Sequence, residues 1–163
     1  MNEGGRSKDR LPVLCIMKED GMAEIRIGGR QIPLFYSTYE MIEIEKSIGC
    51  TAYQLNDKVI GAHQTNTENP DDPDGIVLDI LEKPENKENL GKLIRILGNA
   101  GLEENGETPD LTDKWVLKNM KPGMVMVYAV AVMAVVNEGN QMEMKKEDSG
   151  PVDETLEIEQ GKK

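Results

Sequence analysis

His63 is the single histidine in a chain of 163 residues, so any imidazole general base would have to be this residue. It stands in the run Ala62-His63-Gln64-Thr65-Asn66-Thr67. No nucleophile is placed around it in a triad pattern, and a histidine in an Asn/Thr-rich segment reads as solvated. Asp72-x-Asp74-Gly75 imitates part of a calcium loop, but the register puts Pro70 at position 1 and Leu81 at position 12. An EF-hand needs a carboxylate at the first and a bidentate Glu at the second, so the segment reads as a solvated loop. Gly91-Lys92 lacks the upstream glycine of a phosphate-binding loop, and Gly98-Asn99-Ala100-Gly101 reads as a helix end. Cys15 and Cys50 are far apart and in no CxxC, which suggests neither a disulfide scaffold nor a zinc site and points to a reducing setting. The expectation is a non-enzyme with no cofactor and no metal.

The elements follow from local signals. Ala23-Glu24-Ile25-Arg26-Ile27 alternates, Gly28-Gly29 supplies a tight turn and Arg30 to Tyr36 resumes the alternation, so residues 22–36 are expected to form a hairpin with Pro33 on an edge strand. Ser37 with Glu40 makes a capping box for a helix over 38–48, with Met41, Ile44 and Ile48 on one face and Gly49 as the stop. Thr51 with Gln54 repeats the signal for a second helix over 52–60. Ile76 to Leu81 is apolar and fits helix or strand. Leu90, Leu93, Ile94 and Leu97 form a helical stripe, expected over 86–100 with Gly101 closing it. Thr112 caps a helix over 113–120, stapled by Leu111 and Val116. Pro122 opens a last helix over 122–138. The fold class expected is mainly α with a small N-terminal β-hairpin (α+β). One domain is expected over 11–142, with residues 1–10 and the acidic tail 143–163 too polar to fold.

Charge narrows the partners. The net charge is −11, which disfavours nucleic acid because phosphate neutralisation needs surplus Lys and Arg. The acidity is uneven, with twelve acids against four bases in residues 62–110 and near neutrality across 111–142. Met124 to Val136 is a run of thirteen apolar residues, short of the roughly 20 that cross a bilayer, so no membrane is expected. Its valines make a strand a competitor, but the opening proline, interleaved alanines and closing Asn137-Glu138-Gly139 favour a helix. The core must lean on aliphatics and ten Met, since aromatics number one Trp, four Tyr and one Phe.

Ile27-Gly28-Gly29-Arg30-Gln31-Ile32-Pro33-Leu34 and Glu40-Met41-Ile42-Glu43-Ile44-Glu45-Lys46-Ser47-Ile48-Gly49 resemble the opening of the tail assembly chaperones of long-tailed phages and prophages of Gram-positive bacteria. Leu93-Ile94-Arg95-Ile96-Leu97-Gly98-Asn99-Ala100-Gly101-Leu102, Pro109 to Leu117 and Met120-Lys121-Pro122-Gly123 continue the resemblance, which spans about residues 22–142. It implies a non-catalytic protein of the host bacterial cytoplasm that coats the tape measure protein, helps recruit tail tube protein and is absent from the mature virion. In many members a frameshift yields a longer form that meets the tube protein. Gly161-Lys162-Lys163, or Lys145-Lys146, is what a slippery run of G and A codons would encode.

Such a role needs exposed apolar surface, and Met suits varied partners. Met120, Met124, Val127, Tyr128, Ala131 and Val135 are the expected partner-binding residues, with core packing as the competing explanation. A minor structural tail or head–tail connector protein, retained in the virion, is the alternative function. A membrane-active lysis peptide is disfavoured by the length of the apolar run.

Overall fold

The computed structural model describes residues 16–17, 22–64 and 75–141. Within them the protein is mainly helical with a small antiparallel β part. The expectations for residues 1–10 and 143–163, the frameshift signals, the calcium-like Asp72 and Asp74, and Cys15 lie outside the described residues.

Strands β2 (Ala23–Ile27) and β3 (Arg30–Leu34) form the hairpin, with Ile25 opposite Ile32. Gly28 and Gly29 have φ of +57° and +78°, the left-handed pair of a two-residue turn whose twist matches the strands. The short strand β1 (Ile16–Met17) adds antiparallel to β2, giving the order β1-β2-β3 and leaving Pro33 on an edge. Helix α1 (Thr38–Ile48) starts with the expected capping box, in which Ser37 N–H donates to Glu40 Oε2 at 2.9 Å, and ends at left-handed Gly49. A 3₁₀ turn (Ala52–Gln54) leads into α2 (Leu55–Val59). The apolar patch at 76–81 divides, with strand β5 (Ile76–Leu78) pairing antiparallel with β4 (Ala62–Gln64) and α3 (Asp79–Glu82) following at once.

Helix α4 (Pro84–Glu104, 21 residues) is the axis of the fold and contacts β3, α1, α2, α3 and the later helices α5 (Asp113–Asn119) and α6 (Val125–Gly139). Leu90, Leu93, Ile94 and Leu97 are fully buried, as their spacing requires. Gly91, Gly98 and Gly101 lie along a line where neighbours press close: a Cβ on Gly91 would meet Leu117, one on Gly98 would meet Leu111 and Ile32, and one on Gly101 would sit 2.1 Å from the Pro33 carbonyl oxygen. Gly101 is therefore no helix stop. It stays inside α4 because β3 passes too near for any side chain, and the helix runs on to Glu104, longer than the expected 86–100. Phe35 N–H donates to the Leu97 carbonyl at 3.1 Å, tying the hairpin's exit to the same helix.

Three asparagines on α4 do work that the apolar stripe does not reveal. Asn86 donates to the Val59 carbonyl at 3.1 Å and Asn89 to the Lys58 carbonyl at 2.9 Å, satisfying α2's C-terminal acceptors. Asn99 both donates to and accepts from the Leu111 backbone, at 3.0 and 2.9 Å, fixing the linker before α5 (Asp113–Asn119). Thr112 caps α5 through Trp115 N–H. Arg30 at the hairpin turn bonds Asp110 at 2.8 Å and lies 5.8 Å from the Trp115 ring centre. That hydrogen bond holds the Asp110 carboxyl below its ordinary range.

A second 3₁₀ turn (Pro122–Met124) opens α6 (Val125–Gly139), which resolves the strand-or-helix ambiguity and carries the helix one residue past Glu138. Gly101→Ala should lower stability by about 3 kcal/mol or more in urea denaturation, because the added methyl meets backbone that cannot rotate away. Gly123→Ala, which meets nothing within 4 Å, should stay within about 0.5 kcal/mol of the parent.

Candidate functional site

Helix α6 is apolar all round in sequence but has two different faces in space. Val125, Ala129, Val132, Met133 and Val136 are buried against β2, α3 and α4. The opposite face is open, with Val127 40% and Val130 51% exposed and Ala134 exposed beside them. Val127, Val130 and Ala134 recur at the i, i+3, i+7 spacing of one helix stripe, and half-buried Ala131 completes it at i+4.

The six sequence-predicted residues are thus divided. Val127 is exposed, while Met124, Ala131 and Val135 are half-buried and pack on the core's edge. Met120 and Tyr128 are 6% exposed and belong to the core. Tyr128 O–H donates to the Arg26 carbonyl of β2, which turns its ring inward, and Met120 closes the α5 end under the turn at Pro122. Val130 gives no sign of its exposure in the sequence, because uniform apolarity hides which side faces out, and only the tertiary contacts supply that. At the far end of α6, the Tyr36 ring lies over Gly139 and its hydroxyl donates to Asn140 at 2.8 Å. Two tyrosines therefore pin the helix to the hairpin and its exit.

Two concavities lie elsewhere on the described residues. A groove of about 360 Å³ is lined by Leu81, Lys87, Leu117, Met120, Pro122 and Val125, with Leu81 55% exposed on its rim. A shallower cleft of about 150 Å³ is lined by polar groups of α1 and α4, among them Glu40, Glu43, Arg95 and Glu103. Pro122–Gly139 is 18 residues long, and by length and composition alone it is apolar enough to cross a membrane. The thirteen-residue count understated the helix. A third of that stretch is buried inside the fold, and that third serves as core.

His63 lies on β4, not in a loop, with Nδ1 3.3 Å from the Gly61 carbonyl and 3.5 Å from Asp79 Oδ1. Asp79 Oδ2 takes a bond from Lys83 at 3.1 Å, whereas its Oδ1 is buried and makes no hydrogen bond among the described residues. No three of His, Cys, Asp or Glu converge as metal ligands among the described residues. Cys50 is half-buried and not in a disulfide, and burial raises its thiol pKa, away from the reactive thiolate.

Val127→Asp and Val130→Asp should each leave the far-ultraviolet circular dichroism unchanged and shift stability by less than about 1 kcal/mol. Val132→Asp, which places a lone charge at a fully buried position, should cost about 4 kcal/mol or more. Burial also raises the phenol pKa of both Tyr36 and Tyr128. A phenol with a raised folded pKa keeps its proton where the unfolded chain, at about pH 10, begins to lose it. Stability is intact below that pH and falls as the pH climbs through the folded pKa. The Tyr36→Phe/Tyr128→Phe pair should flatten that decline in denaturant titrations between pH 9 and 11.

No protein-family model matches the chain, and neither the curated proteins nor the solved structures offer a significant match.

Proposed function

We propose that this chain is a non-catalytic tail assembly chaperone that binds a tape measure protein, keeps it soluble and helps bring tail tube subunits to it through a longer form. The observation that carries the reading is the open face of α6: an uncharged Val and Ala stripe on a helix held rigidly by the core behind it. A long helical client offers apolar faces of the same period, and helix-in-groove docking uses i, i+3, i+4, i+7 anchors of this kind. The groove beside Leu81 and Pro122 is a second apolar surface, at the start of the same helix. The surrounding acidity keeps such a surface in solution. The stretches that resemble the chaperones coincide with the hairpin, the glycine-lined part of α4 and the turn into α6, the segments that set where this face lies. In this reading the protein acts in the host cytoplasm and leaves before the virion is complete.

The test is co-production with the product of the long tape measure reading frame that this proposal places beside the gene. The parent chain should hold that client in the soluble fraction, and the Val127→Asp/Val130→Asp variant should lose at least about ten-fold of the soluble client while remaining folded, since each lost anchor weakens binding by about 1 kcal/mol or more. Equal protection by parent and variant would remove α6 as the client face. Mass spectrometry of purified particles should not detect the chain. Its stoichiometric presence there would instead identify a structural tail or connector component.

A further inference from the structure

Without a client the stripe is still apolar, and its residue order selects a particular cover. Read from the N-terminal end, it runs Val127, Val130, Ala131, Ala134: large residues in the first half, small in the second. A second copy laid antiparallel about a twofold axis between positions 130 and 131 sets each Val127 against Ala134 of the other copy and each Val130 against its Ala131. Large then meets small along the whole strip, which is how facing helices fill space. A parallel copy would stack Val on Val and leave Ala facing Ala.

The ends give an independent second argument from charge. Pro122 to Val136 carries no charged residue, and the strip is bounded by exposed Lys121 at its start and exposed Glu138 at its end. An antiparallel partner sets Glu138 opposite Gly123 of the other copy, two positions from its Lys121 and within reach of that long side chain, whereas a parallel partner would bring like charges together. Two chains of net charge −11 also repel, and the strip between Pro122 and Asn137 carries no carboxylate of its own to add to that repulsion. We infer that α6 mediates a closed, antiparallel twofold pairing of this chain with a second copy of itself through Val127, Val130, Ala131 and Ala134, with Lys121 and Glu138 fixing the direction.

A 15-residue helix is about 22 Å long, so a strip about 10 Å wide buries only a few hundred Å² per copy. That is below the roughly 800 Å² per partner of a stable complex, and the pair is therefore weak and reversible, with a dissociation constant of about 10 to 1,000 μM. The same strip is the client face proposed above, so pairing and client binding exclude each other. The pairing argument stands on the strip alone and does not require the client reading.

Sedimentation equilibrium of the full chain from about 10 μM to 3 mM, a range that spans the expected constant, tests it. The weight-average mass should rise from 18.1 kDa toward twice that value, and Val130→Asp, which sets two carboxylates at the twofold axis, should stay monomeric with an unchanged circular dichroism spectrum. Lys121→Glu or Glu138→Lys alone should weaken pairing about three- to ten-fold, and combining the two in one chain should restore it. A parent chain that is monomeric throughout overturns the inference, as does growth beyond a dimer or a Val130→Asp variant that still pairs. Charge variants that fail to weaken and restore in this way overturn the antiparallel arrangement. A monomer that still protects its client removes the pairing and leaves the chaperone reading standing.

Discussion

Helix α4 can serve as the axis of this fold only if the hairpin comes closer than a side chain allows. At Gly101 the helix backbone meets the Pro33 carbonyl at a distance that admits hydrogen and nothing larger. One turn earlier the Leu97 carbonyl accepts from Phe35 N–H, so the end of β3 is fastened to the helix by contact and by hydrogen bond together. The consequences spread along the chain in both directions. Ser37 must begin α1 immediately after this junction, which puts Ile44 into the core beneath α4. Gly98 and Gly91 extend the slot so that Leu111 and Leu117 seat α5 against the same helix, and α5 determines where Pro122 launches α6. A single added methyl at position 101 would therefore be felt by elements that never touch it.

Much of the secondary structure is legible in the sequence because its signals are local. Gly28-Gly29, the Ser37/Glu40 box, Gly49 and Thr112 each act within four residues and each sits where its chemistry predicts. Gly101 misled for an instructive reason: the residue that ends a helix by adopting positive φ is also the residue that lets a helix be approached, and only the neighbouring strand decides between them. Asn86, Asn89 and Asn99 read as ordinary polar positions on an amphipathic helix, yet each reaches backbone 12 or more residues away. His63 reads as a loop residue in the sequence because its strand partner lies beyond Gly75, across a segment with no strand signal of its own.

The candidate surface was half legible. Composition located the helix that carries it, and Val127 proved exposed, but a run that is Val, Ala and Met on every side has no moment from which an outer face can be read. Tyr128 illustrates the difficulty. As an amphipathic side chain in an apolar helix it suits an interface, and the structure instead spends its hydroxyl on the Arg26 carbonyl in the hairpin. The same bond makes the outward face well defined, because a helix tied to the sheet by one tyrosine and to the chain's first helical junction by another presents Val127 and Val130 in one fixed direction.

Pro33 has a meaning for how this molecule behaves in a crowd. In a two-residue hairpin the inward and outward backbone groups alternate, so Gln31, Pro33 and Phe35 are the positions whose nitrogens face away from β2. Pro33 has no hydrogen to offer and that of Phe35 is taken by α4. An incoming strand from another molecule would find only Gln31 to bond on that side, too little to template a growing cross-β ladder. The β3 edge is thus a poor template for the open-ended, fibre-forming mode of association, and stickiness on that side of the molecule is left to helix faces, whose contacts saturate.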